Sequence, residues 1–376
     1  MNAGNQIRIA LDARLEKPWA SGLGRYAREL CRALTALDAP GVQWVILKHP
    51  LMRDVAFATL GSNAEEVVLA GDPDTASTLW SAWTLNRLRL DVYHALENFV
   101  PVGLRVPRTV ITMHDLTWVL TPELVQRADR SRLQTGFIRV WGTGTMAYAV
   151  RRASAVITVS EATRAAALER FPVLRTKPVV AVHNGLEHDH FRPAERPAPE
   201  RSFFLTLGNS LPYKNVPRVI DALAQLKDTS AELVLPGRGD NFGALEVQAR
   251  ARGVFDRVRF RRRPPDDEVL GYYQTATALV FPSLTEGFGF PLVEAMATGC
   301  PVITSDLPVC REVCGDAALY VDPRSTDSVA SGMRAVLLDP TLRASLIARG
   351  KERAARFSWR RCAEETLSVY GTLVSN

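Results

Sequence analysis

Short apolar runs recur along the chain, separated by stretches whose apolar residues repeat at helical spacing. Ile7-Arg8-Ile9-Ala10-Leu11 reads as a first strand. The segment Asp12 to Gly24 reads as a loop, and a helix follows with Tyr26, Leu30, Leu34 and Leu37 on one stripe. Further strands are predicted at Val42–Leu47, Glu66–Leu69, Asp91–His94, Thr109–Thr112, Ala155–Val159 and Pro178–Val182. Helices are predicted between them, including Ser77–Leu88 and Glu161–Arg170. The stretch Glu187–Ser202 breaks the pattern: Pro193, Pro197 and Pro199 sit among charges without apolar periodicity, as in an interdomain linker. A second series then begins, with strands at Phe203–Leu207, Glu232–Leu235, Val258–Phe260, Ala278–Phe281 and Val302–Thr304. Helices at Ser328–Leu338 and Trp359–Thr372 close the chain. Apolar strands alternating with helices imply parallel sheets covered on both faces. The expected class is therefore α/β, with two Rossmann-like, doubly wound domains at residues 1–187 and 202–358 and a linker at 188–201.

The most informative stretch begins at the Ala278–Phe281 strand. A glycine-rich turn follows, Pro291 stands where a first helical residue should be, and Leu292 to Ala297 favour helix. The open amino end of such a helix attracts an anion. Glu286 and Glu294 flank it. Carboxylates beside an anion site make sense when the ligand also carries hydroxyls, because an ionised carboxylate only accepts hydrogen bonds. A sugar nucleotide has both features. The plain alternative is an acidic residue favouring a helix dipole.

Composition narrows the picture only a little. The 376 residues suit two domains, and 47% hydrophobic with 23% charged residues is ordinary for a globular protein. A net charge of +6 fits nucleic acid, acidic substrates or an anionic membrane without choosing among them. Cys31, Cys300, Cys310, Cys314 and Cys362 form no metal-ligand array; Cys310 and Cys314 would share a helical face, but no histidine lies nearby. The reading is reduced thiols, no metal and a cytoplasmic protein. Residues 1–17 lack a signal-peptide core, and the weakly polar run ending at Val150 is too short to span a bilayer. The arginine-rich stretch Gln126–Arg152 reads either as a membrane-surface face or, preferably, as a solvated helix packed by its apolar side. No nucleic-acid module motif accompanies the charge, so no nucleic-acid partner is expected. Asp72-Pro73-Asp74 reads as a turn.

Glu286, seven intervening residues and Glu294, with Glu286-Gly287-Phe288-Gly289 and Gly299-Cys300-Pro301-Val302-Ile303-Thr304-Ser305, resemble the signature of the retaining glycosyltransferases of family 4. The resemblance extends over nearly the whole chain and implies the GT-B fold, two Rossmann-like domains facing across a cleft, with a last helix (359–376) packed back on the first domain. It implies that the loop Ser21-Gly22-Leu23-Gly24 lies over the donor diphosphate, with Gly22 in closest approach. As a dinucleotide motif the same loop is weak: Ala27 holds the third glycine's place, and no acidic residue ends the Val42–Leu47 strand. In the resemblance, His114 of Thr112-Met113-His114-Asp115 reaches the donor sugar or the reaction centre. Lys214, in Gly208-Asn209-Ser210-Leu211-Pro212-Tyr213-Lys214-Asn215, matches the lysine that neutralises the diphosphate. The arginine common in that turn is absent. Asn209 and Tyr213 occupy its places, and Arg238 of Pro236-Gly237-Arg238-Gly239 is the candidate replacement. Glu286, with backbone N–H groups across Gly287, Phe288, Gly289 and Phe290, is expected to hold the donor sugar, and Glu294 the ribose. His94, Glu97 and Asn98 are the acceptor candidates.

The expected activity is retaining transfer of a hexose from a nucleotide-sugar co-substrate to a glycan or lipid-linked acceptor, without a tightly bound cofactor or metal. Asp12-Ala13-Arg14, Gly22-Leu23-Gly24-Arg25-Tyr26 and Lys214-Asn215 look most like bacterial polysaccharide mannosyltransferases, which makes GDP-mannose the leading donor. UDP-glucose and a dTDP-deoxysugar follow. A GT-B epimerase or hydrolase, an NAD-dependent oxidoreductase and a non-catalytic sugar-nucleotide sensor are the readings from other classes. Peripheral contact with the inner face of a membrane stays open.

Overall fold

The structure, a computed structural model, describes residues 6–375 apart from 18–21, 60–61, 72–77, 126–131, 195–199, 208–210 and 239–241. The chain divides into two compact units. The first comprises residues within 1–119, 137–185 and 358–376; the second comprises those within 120–136 and 186–357.

Seven strands form the sheet of the first unit: β1 (Ile7–Asp12), β2 (Val42–Lys48), β3 (Ala64–Val68), β4 (Val92–Ala95), β5 (Arg108–Met113), β6 (Ala155–Thr158) and β7 (Val179–Ala181). All neighbours are parallel, in the order β3-β2-β1-β4-β5-β6-β7. The order reverses between β1 and β4, and that reversal opens a crevice at the carboxyl ends of those strands. β4 and β6 are buried at every position, and apart from His94 and Thr158 they carry apolar or aromatic residues.

The C-terminal helix Trp359–Val374 belongs to this first unit. Gly185 makes its approach possible: a Cβ there would stand 2.2 Å from the Trp359 backbone nitrogen. The Tyr370 hydroxyl of this helix lies 2.5 Å from His94 Nδ1 at the end of β4. Its Leu373 carbonyl accepts from Arg108 Nε.

The second unit repeats the architecture with six strands: β8 (Phe203–Leu205), β9 (Glu232–Gly237), β10 (Val258–Arg262), β11 (Ala278–Phe281), β12 (Val302–Ser305) and β13 (Ala318–Val321). They too are parallel, in the order β10-β9-β8-β11-β12-β13, with the reversal between β8 and β11. Phe204, Ile220, Leu233, Val280, Ile303 and Met333 meet in its buried core. The fold class expected from the sequence, two doubly wound parallel sheets, is the one observed. No helix among the described residues is long and apolar enough to cross a membrane.

Candidate functional site

In the second unit the loops after β8 and β11 meet at the reversal of strand order. The loop after β8 passes into a 3-10 turn, Pro212–Lys214, and Asn215 then takes a left-handed conformation (φ 56°) that starts the helix Val216–Gln225. Asn215 Nδ2 donates to the carbonyls of Pro282 (3.0 Å) and Pro323 (2.7 Å), and Leu284 N donates to Tyr213 O at 2.8 Å. These bonds pin the lysine turn to the glutamate loop. Lys214 Nζ consequently lies 2.7 Å from Glu286 Oε1, a pair that is largely shielded from water. The ammonium also sits 4.8 Å from the ring centroids of Tyr213 and Phe281. Buried between the glutamate loop and β12 is Ser283, whose Oγ has no hydrogen-bond partner and whose carbonyl accepts from Ser305 Oγ at 2.6 Å.

Gly289 (φ 90°) turns the chain into the helix Phe290–Thr298, with Pro291 in its first turn. A side chain at position 289 would meet Leu292 Cδ1 at 2.9 Å, in a backbone conformation that non-glycine residues rarely adopt. Phe288 is buried edge-on between Phe290 and Phe357, so its side chain packs inside the unit. Glu294 lies one turn into the helix, 7% exposed, and its Oε2 accepts from Tyr273 Oη at 2.5 Å. Tyr273 was not singled out by sequence reasoning; it lies 21 positions upstream on another helix, with no local pattern to mark it. Arg238 is exposed directly after β9, at the same carboxyl edge of the sheet. Asn209 falls outside the described residues.

In the first unit His114 follows β5 directly. Its Nε2 donates to the Leu96 carbonyl at 2.9 Å, and its ring meets Tyr26 edge-on at 4.7 Å. Burial lowers its pKa, although the Leu96 carbonyl and Asp115 oppose that shift. The imidazole is thus neutral at pH 7, with its proton on Nε2 and its lone pair on Nδ1. Gly22 opens the helix Gly22–Ala36 and is exposed. Glu97 is buried, and half-buried Asn98 has an Oδ1 without a hydrogen-bond partner.

His94 requires a correction. It is fully buried, with Nδ1 against Tyr370 Oη and Nε2 2.8 Å from Thr112 Oγ1. Burial drives its pKa down to about 3, and His114 nearby pushes the same way. Both ring nitrogens are engaged inside the unit, so His94 is not a group that meets an acceptor. The strand-end position suggested exposure; the C-terminal helix covers it. Asp12-Ala13-Arg14 also turns inward. Asp12 takes two bonds from the Arg14 guanidinium (2.8 and 2.6 Å), one from the Arg14 backbone N–H (3.3 Å) and a fourth from Tyr93 Oη (2.6 Å), while Arg14 Nη1 donates to Ser81 Oγ at 2.7 Å.

All five cysteines are free and buried. Among the described residues no group of three or more His, Cys, Asp or Glu side chains could hold a metal ion.

Two family models match the chain. Residues 20–190 match Glycosyltransferase Family 4, and residues 187–353 match Glycosyl transferases group 1. O-antigen chain mannosyltransferase B of Escherichia coli is 29% identical over 306 residues, covering 78% of this chain and 77% of that protein. O-antigen chain mannosyltransferase RfbU of Salmonella typhimurium is 30% identical over 224 residues, covering 60% of this chain and 59% of that protein. Among solved structures, sucrose-phosphate synthase from Thermosynechococcus elongatus superposes with a TM-score of 0.77 at 22% identity, over 98% of this chain and 99% of that one. HepE of Anabaena in complex with UDP-glucose gives 0.70 at 18% identity, over 96% of this chain and 100% of that one. At these identities the structural likeness speaks to the fold alone.

Proposed function

The chain belongs to the glycosyltransferases, its first half to family 4 and its second to group 1, and from that premise we propose that it transfers mannose from GDP-mannose, with retained anomeric configuration, to a glycan or lipid-linked acceptor. The observation that carries this reading is the Lys214–Glu286 pair at 2.7 Å, beside the amino end of the Phe290–Thr298 helix. In a sugar diphosphate one oxygen joins the phosphate to the sugar. A cation for the phosphate and an acceptor for the sugar's hydroxyls must therefore stand side by side, as these two do.

The roles follow from charge. As the bond from the anomeric carbon to the phosphate oxygen breaks, negative charge grows on the leaving diphosphate; Lys214 and the helix amino end oppose it. The acceptor hydroxyl bonds to the same face of the anomeric carbon, and its proton passes to the departing phosphate oxygen. Glu286, with the backbone from Gly287 to Phe290, holds the sugar. Glu294, steadied by Tyr273, accepts from the ribose hydroxyls. His114 offers Nδ1 to a sugar hydroxyl, Gly22 lies against the diphosphate, and Glu97 and Asn98 meet the acceptor. Arg238 and Asn209 complete the phosphate contacts. The mannosyl donor is favoured by the two O-antigen relatives, which are mannosyltransferases by name. We place the protein in the cytoplasm, at the inner face of the membrane. Incubation with GDP-mannose, UDP-glucose and a dTDP-deoxysugar, each with a glycan acceptor, tests the reading through nucleoside diphosphate release. Release from GDP-mannose alone is expected. Acceptor-dependent release from UDP-glucose alone would make it a glucosyltransferase.

A further inference from the structure

Three segments of the first unit converge at the amino-terminal edge of its sheet. Trp83, on the helix Thr78–Leu85, is 61% exposed, and the Arg87 guanidinium stacks 3.4 Å from its ring centroid. The loop ahead of β5 is tied to this helix end: Asn86 Nδ2 donates to Gly103 O at 3.1 Å, and Arg105 N donates to Asn86 Oδ1 at 2.8 Å. Val102 in that loop is exposed. The carboxyl end of the helix Arg132–Arg152 joins them, because Arg152 Nη2 donates to Leu104 O at 3.1 Å. Lys177 Nζ caps the same helix end through the carbonyls of Val150, Arg151 and Ala153.

Basic residues outnumber acidic ones on this face; Asp91, just before β4, is at the same edge, and its Oδ2 accepts from Arg8 N. The sequence has no aspartate or glutamate from Ala76 to Leu90, from Phe99 to His114, or from Arg132 to Ser160. Arg87, Arg105 and Arg151 are exposed, and none pairs with a carboxylate among the described residues. Elsewhere in the same unit Arg8, Arg14 and Arg28 each have a carboxylate partner, while exposed Arg53, Arg170 and Arg175 have none among the described residues.

We propose that this face, Trp83, Arg87, Val102, Arg105 and Arg151, docks the protein on an anionic phospholipid surface. Arginines near such a surface each contribute about 1 kcal/mol, and tryptophan favours the boundary between headgroups and acyl chains. Single-stranded nucleic acid fits less well. It needs open aromatic faces for base stacking, whereas one face of Trp83 is taken by Arg87 and the exposed neighbour, Val102, is aliphatic. The proposal deepens the glycosyltransferase reading, and rests on it, in one respect. The docking loop precedes β5 and His114 follows it; six residues of strand separate them by roughly 20 Å. An acceptor anchored in that membrane must lift its reacting hydroxyl about as far, so the acceptor class is a lipid-linked chain already carrying several sugars.

Co-sedimentation of the full chain with phosphatidylcholine vesicles, with and without phosphatidylglycerol, tests the face. Binding is expected only to the anionic vesicles, and is lost at high salt. Joint Arg87→Gln, Arg105→Gln and Arg151→Gln replacement should weaken it by about fivefold per arginine, the three Glu replacements should weaken it further, and Trp83→Ser should weaken it independently. Donor turnover on a soluble acceptor should not change in any of them. Equal binding to neutral vesicles, unaltered binding by the arginine variants, or a shift of single-stranded RNA without vesicle binding would each overturn the proposal. Anionic-vesicle binding by a protein that releases nucleotide from no donor would leave the face standing and remove the proposed activity and the acceptor class with it.

Discussion

Lys214 and Glu286 are 72 positions apart, yet they share one hydrogen bond. Glu286 stood out as one of a pair of carboxylates about a helix start, and Lys214 through the resemblance of its turn to the family's phosphate-binding turn. Their contact was not legible, because it depends on which strands are neighbours, and on Asn215 tying the two loops together. Lys214→Ala is expected to lower the transfer rate by about 10²- to 10³-fold with the fold intact, measured by nucleoside diphosphate release and circular dichroism. The buried histidine shows the opposite failure. His94 looked like a strand-end ligand, and nothing local reveals that Tyr370, 276 positions later, closes over it. Its proton binding gives a signed prediction. The unfolded chain protonates this histidine near its ordinary value of 6.5, while the folded chain resists until about 3. Stability should therefore be complete above about pH 6.5 and should fall as the pH drops from there toward 3. Denaturant titrations across that range should show a shallower fall in His94→Gln than in the parent. Tyr370→Phe should cost about 1–3 kcal/mol at neutral pH, because it leaves a buried Nδ1 unsatisfied.

Most strands could be located from the sequence because a parallel strand covered on both faces is apolar at nearly every position; β6, β11 and β12 are buried throughout. Edge strands are only partly buried, yet β3, β7 and β10 were still anticipated. β13, with two of its four residues half-buried, was not anticipated, and neither was the helix Pro308–Cys314 leading into it. The Phe203–Leu207 strand stops at Leu205, just before the chain bends toward the lysine turn. Ser160 accepts from Thr163 N and Ser358 from Arg361 N at two helix starts the sequence placed correctly, but the same cap at Ser325 precedes a helix placed two residues late, and Asp339 caps the unanticipated helix Pro340–Ala354. At this scale Gly185 is the sensitive position. Backbone atoms of Trp359 occupy the space a methyl group would need, so no rotamer change relieves Gly185→Ala. That substitution should displace the start of the C-terminal helix and lower the melting temperature far more than Gly243→Ala, where a methyl group would meet nothing within 4 Å.

The net charge of +6 is a sum that hides its own distribution. In the second unit β10 carries Arg259, Arg261 and Arg262, and each meets a glutamate. In the first unit Arg87, Arg105 and Arg151 have no carboxylate partner among the described residues, and they lie where three carboxylate-free segments meet. Composition alone could not separate nucleic acid from membrane or from an acidic substrate, because that choice depends on which arginines are already paired. The donor base is likewise a property of the assembled site. GDP at about 100 times its dissociation constant should stabilise the protein by roughly 2.7 kcal/mol, an effect that UDP at equal concentration should not match. Thermal melts with both nucleotides check this. The proposed activity requires a cation and a carboxylate, set side by side, to serve the two halves of one nucleotide sugar. The most direct measurement is acceptor-dependent GDP release from GDP-mannose by the parent, Lys214→Ala and Glu286→Ala proteins. Turnover is expected in the parent, with a loss of at least about 100-fold in each variant; parent-like rates in both folded variants would contradict the proposed roles of Lys214 and Glu286.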